Sequence, residues 1–196
     1  MLGEFDVLTR QKMAADWLQW ACGPKQAVDQ HDPIYQQVTE GRDKPTKGYS
    51  SCGDLGHWIL YRLGARLPWV NRAEHLGWRV GKNVSALCWG PAPARDYAPG
   101  MKLEAGDIVI IWGRPDGTDA HVMCVVDHDP GARVLCTAEY GQPGGALRNH
   151  VYNDDNGGMK FGRRSVHKVL LLKDVIAQAD ASGDLVEPEA LSGFSY

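Results

Sequence analysis

The chain has 196 residues, a formal charge of −3, and 43% hydrophobic against 23% charged residues. That length supports one well-cored domain rather than two. The mildly acidic balance excludes the basic stripe of a nucleic-acid binder, and no apolar run reaches the length of a membrane-spanning helix.

Five cysteines (Cys22, Cys52, Cys88, Cys124, Cys136) without CxxC spacing argue against a disulfide framework and a cysteine-rich zinc site. No metal or cofactor is expected. The first residues lack a basic segment followed by an apolar run. The expectation is therefore a chain without a signal peptide, cytoplasmic at synthesis, that leaves by a signal-independent route or by lysis.

In chain order, apolar positions at helical spacing (Met13, Ala14, Trp17, Leu18) predict a helix over 7–22, ended by Gly23-Pro24. Residues 25–48 read as a long polar loop. A second helix is expected from Cys52 to Leu63, stopped by Gly64, and a short third one near 71–78, before the Pro-rich loop 89–93. The second half changes to strands: 107–112, 121–127, 133–140 after a turn at 129–132, then 148–152 and 166–172. Helices followed by a strand meander predict an α+β fold, with N-terminal helices packed on a central antiparallel sheet of about five to six strands. Residues 1–176 are expected to form this single domain and 177–196 a polar, mobile C-terminal tail. Most of the seven tryptophans should be core, with one or two left to line a groove.

Cys52 is the candidate nucleophile. It opens the second helix behind Ser51, with Asp54 completing a capping box, so free N–H groups and the helix dipole favour its thiolate. Gly53 leaves room for a substrate backbone. A cysteine nucleophile needs a base and a group to orient that base. His121 begins a strand directly after the loop 113–120, and Glu139 lies on the antiparallel neighbour. Position 139 shares parity with Leu135 and Thr137, a face expected toward the helix layer. Each residue alone is more simply a small buried thiol, a satisfied strand-end imidazole and a surface acid. Their joint order makes the catalytic reading.

The stretches 49–55, 106–112, 121–126 and 134–140 together resemble the papain-like peptidases of bacterial cell walls, the NlpC endopeptidases and CHAP amidases. The resemblance implies a papain-like catalytic domain that hydrolyses amide bonds of peptidoglycan peptides, with Cys52 as nucleophile, His121 as base and Glu139 as orienting group. It also implies a backbone N–H at Cys52 in the oxyanion hole, joined by Tyr49. Gln142 and Asp119 are alternative polar partners at the third position. This sequence departs from the NlpC pattern in reading Gly-Asp-Leu-Gly after Cys52, and in the distance from His121 to the acid. By analogy, a signal-less wall hydrolase suits a phage lysin or an injected antibacterial effector, the latter with an immunity protein as partner.

Two other classes compete. The same scaffold serves peptidases and acyltransferases acting on proteins, and a non-catalytic interaction module would bury Cys52 and use exposed tryptophans. Metal binding finds little support. His121 and Asp127 bracket a whole strand, and 153–158 lacks the closing Glu of a calcium loop and reads as a hairpin turn.

Overall fold

The computed structural model describes residues 6–23, 52–70, 92–113, 120–142, 144–155, 158–189, 191 and 193–196. The expected loop 25–48, the third helix and the Ser51 cap lie outside these residues, as does the side chain of Asp54.

Helix α1 spans Val7–Cys22, and its N-cap Asp6 accepts from Thr9 N at 2.8 Å. Met13, Ala14, Trp17, Leu18 and Ala21 form its buried stripe, the one-sided spacing of a helix lying on a core. Helix α2 spans Cys52–Arg62. It ends at Gly64, whose φ of +92° and the approach of Val186 O to within 2.0 Å of an added Cβ leave no residue but glycine. Helix α3 spans Leu172–Ser182, closed by Gly183 in the left-handed region.

The strands are β1 (Ala94–Arg95), β2 (Ile108–Trp112), β3 (Ala120–Asp129), β4 (Val134–Gln142), β5 (Gly144–Val151), β6 (Asn153–Asp155), β7 (Gly158–Phe161) and β8 (Arg164–Leu170). They form one eight-stranded sheet in the order β5-β4-β3-β2-β8-β7-β6, with β1 on β8. Every pairing is antiparallel. The architecture is thus α+β as expected, but with more strands than the five or six foreseen. Strands of two to four residues carry too little alternation to be read from sequence.

The single residue Tyr152 joins β5 to β6, although these strands stand at opposite ends of the order. The sheet therefore curls until its ends meet. Two clusters result. The first holds the helices against Ile108, Ile110, Val122, Cys124, Val126, Ala138 and Tyr140; the second fills the curl with Val109, Ile111, Met123, Val125, Leu135, Met159 and Val169. A fully buried side chain of this size contributes about 1.5–3 kcal/mol.

The turn before β2 ties the layers together. Gly106 has φ +88°, and a Cβ there would come within 2.8 Å of Leu172 Cδ2 and 2.9 Å of Ala14 Cβ. Asp107 accepts from Glu104 N (2.8 Å) and from Leu172 N (2.7 Å), the first residue of α3. It thereby caps a helix whose own N-cap, Leu171, supplies no side-chain bond.

The C-terminal segment differs from the expected tail beginning at 177. Helix α3 continues to Ser182, with Ile176 and Ala179 buried. Beyond it Val186 N donates to Gly64 O, Glu189 N donates to Arg62 O, and Leu191 enters the helix-side cluster. Arg10, buried in α1, donates to Leu63 O and Val186 O, binding α1, the end of α2 and this segment together. Tyr196 meets Trp17 edge to face at 5.9 Å. Backbone bonds of this kind leave no side-chain pattern from which packing could be read.

Candidate active site

Cys52 is the first residue of α2, where the leading N–H groups have no partner within the helix. His121 is the second residue of β3 and pairs with Ile111 of β2. The β3–β4 ladder runs Val125↔Thr137 and Cys124↔Ala138. Continued by parity, it puts His121 and Glu139 on one face as diagonal neighbours, within reach of long side chains.

The geometry joins all three. His121 Nε2–H donates to Glu139 Oε2 at 2.8 Å. The His121 ring also hydrogen-bonds the Cys52 side chain. With Nε2 committed to Glu139, Nδ1 is the ring nitrogen left for the sulfur. Cys52, His121 and Glu139 are 1%, 7% and 4% exposed, so charges within this set interact with little screening from water.

The face expected for Glu139 needs correction. Leu135 does share its parity, but Leu135 belongs to the cluster inside the curl. The helices cover the other face, through Val122, Cys124, Ala138 and Tyr140. Cys52 meets His121 where α2 and β3 both begin, not through the middle of the helix–sheet layer. The C-terminus of α1 braces β4 at this level: Tyr140 donates to Ala21 O at 3.0 Å, and Cys22 Sγ lies 3.9 Å from Glu139 O.

Protonation follows from these contacts. Burial pushes the His121 imidazolium down, yet the bonds to Cys52 and Glu139 and their charges outweigh it, raising His121 to about 9. Burial pushes Glu139 up, but hydrogen bonds from His121, His150 and Thr137 and the His121 charge hold it well below the usual carboxylate range. At neutral pH the pair is imidazolium and carboxylate. The other thiols contrast with this setting. Burial raises Cys22 to about 12 and Cys124 well above its ordinary value, and Cys136 is raised as well.

Of the remaining expected residues, Gly53 follows Cys52 in the first turn of α2 and is buried. Gln142 closes β4, its side chain outside the described part; Tyr49 and Asp119 lie outside it entirely. Glu139 has three further partners, of which only Thr137 entered the sequence reading, and there merely as a residue of the same strand face. Thr137 Oγ1–H donates to Oε1 at 2.7 Å, His150 Nε2–H donates to the same oxygen, and Arg148 Nε approaches Oε2 to 3.6 Å. Thr137 shares a strand face with Glu139, which alternation alone gives. His150 and Arg148 required the β4–β5 register.

Among the described residues no group of three or more His, Cys, Asp or Glu is placed to hold a metal ion. No described helix is long and apolar enough to cross a membrane. No family model, curated protein or solved structure matches the chain.

Proposed function

We propose that the chain is a papain-like cysteine hydrolase of the NlpC/CHAP kind, cleaving amide bonds in peptidoglycan peptides. One observation carries the reading: a buried imidazole that bonds a helix-start thiol on one side and a buried carboxylate on the other. The substrate class comes from the sequence resemblance, the reaction class from this arrangement.

In this mechanism the Cys52 thiolate attacks the amide carbon while His121 holds the proton as imidazolium. The carbonyl oxygen gathers negative charge against N–H groups at the start of α2, donors whose loss costs on the order of 10²–10³ in rate in comparable sites. As the C–N bond breaks, His121 passes its proton to the departing amine and Cys52 carries the acyl group as a thioester. Neutral His121 then takes a proton from water. The resulting hydroxide attacks the thioester, and the acid and the Cys52–His121 pair are regenerated. Glu139 keeps Nε2–H in place throughout and stabilises each imidazolium stage. Cys52 as a whole is only 1% exposed, so water is largely kept from the reacting set. That exclusion of water strengthens the charge pairing.

Digestion of purified peptidoglycan by the wild-type chain and by Cys52→Ala, with products resolved by mass spectrometry, tests the proposal. Muropeptide fragments released by the wild type alone are expected, and their masses identify the bond. Release by neither protein would contradict the wall substrate, and release by both would contradict Cys52 as nucleophile.

A further inference from the structure

We propose that His150 is a positioning residue of this site, holding the Glu139 carboxylate from the side opposite His121. The inference rests on reading Cys52, His121 and Glu139 as the reacting set. Glu139 stands between imidazoles from the two strands that flank it. Oε2 accepts from His121 at 2.8 Å; Oε1 accepts from Thr137 at 2.7 Å and from His150.

The terminal torsion of a glutamate is soft, so a carboxylate anchored at Oε2 alone would swing and carry the imidazole with it. Two donors on Oε1 fix that torsion and thereby aim Oε2. His150 is well held for this task. It pairs with Leu135 in the β4–β5 ladder, its side chain is 25% exposed, and its ring meets Phe161 edge-on at 5.3 Å and 70°. Along β4, Leu135 lies four residues before Glu139, so the His150 ring leans along the sheet to reach the carboxylate. Arg148 does not replace it. Its Nε stays 3.6 Å from Oε2, too long for a hydrogen bond, and its side chain is 45% exposed.

Only Nε2 of His150 touches Glu139, which makes the proposal specific to one atom. Glutamine places an amide N–H where Nε2 stands, whereas asparagine places it where Nδ1 stands, too short to reach Oε1. The full chain is compared with His150→Gln, His150→Asn and the neighbouring Asn149→Ala, with thermal unfolding as the measure of folding. The readouts are kcat and KM for muropeptide release and the rate of Cys52 capture by iodoacetamide near neutral pH.

His150→Asn is expected to lower kcat and the capture rate by roughly ten- to a hundredfold, as misplacing a reacting group does. Its KM and the behaviour of His150→Gln and Asn149→Ala should stay within about threefold of wild type. Gln and Asn variants equally impaired, or equally active, would overturn the positioning role. A wild-type chain that captures reagent at Cys52 no faster than at Cys22 would instead overturn the Cys52 reading, and this inference with it. Capture at Cys52 without muropeptide release leaves the capture rates to decide the role of His150.

Discussion

Two carboxylates, Asp107 and Glu139, are buried to nearly the same degree, at 3% and 4% exposure, yet titrate in opposite directions. Burial pushes Asp107 up to about 6, with backbone N–H bonds from Glu104 and Leu172 offsetting only part of it. Burial pushes Glu139 up as well, but two imidazoles and a hydroxyl reverse the sign. Two backbone N–H bonds do not outweigh the burial of Asp107, whereas three side-chain donors, joined by the charge of His121, outweigh that of Glu139. Asp107 accordingly joins β2 to the start of α3, and Glu139 maintains a charge on His121.

That contrast breaks most severely at Glu139. Glu139→Gln preserves the shape but removes the charge, and kcat is expected to fall by about 10²–10⁴, as when the acid of a catalytic triad is neutralised. Steady-state kinetics at saturating substrate checks this, and a variant within tenfold of wild type would deny Glu139 its role.

The structural region answers in stability instead. Gly106→Ala imposes a Cβ at φ +88° against Leu172 and Ala14, and about 2–4 kcal/mol of stability should be lost. Denaturant unfolding measures the loss. The iodoacetamide rate of the folded fraction at Cys52 should not change.

The sign of the Asp107 shift has its own consequence. A folded-state value raised above the unfolded one contributes stability that is fully present below about pH 3.9 and is lost as pH rises through about 6. The melting-temperature advantage of wild type over Asp107→Asn should therefore be largest near pH 4 and shrink toward pH 7. A gap that widens over that range would mean the two N–H bonds outweigh burial. The smallest effect belongs to Arg148→Ala, where the long, half-exposed contact to Glu139 predicts a change in kcat of less than about fivefold.

How much of this was legible follows from where information resides along the chain. Cys52 was visible because helix-start chemistry is local, and β2 to β4 because long apolar stretches bounded by turns are local too. The Gly106-Asp107 pair stood out as part of a motif, but its work, a tight approach between α1 and α3 and a cap on α3, is tertiary. The face of β3 that meets the helices could not be read. Val122, Cys124 and Val126 are buried on one side and Met123 and Val125 on the other, so no alternation distinguishes them. His150 was out of reach for a related reason. The β4–β5 register that brings it toward Glu139 is offset by a shift between Glu139 and Gln142, next to the turn, and a count of residues from a turn does not supply that offset.

The most direct test of the central claim, that Cys52 is held as a reactive thiolate by His121 and Glu139, is site-resolved alkylation of the native chain by iodoacetamide. Mass spectrometry would report the rate at each cysteine across pH 5 to 10. Cys52 should react fastest near neutral pH while Cys22 and Cys124 stay unmodified, and Glu139→Gln should abolish that preference. Cys52 and Cys22 reacting at one common slow rate would contradict the claim.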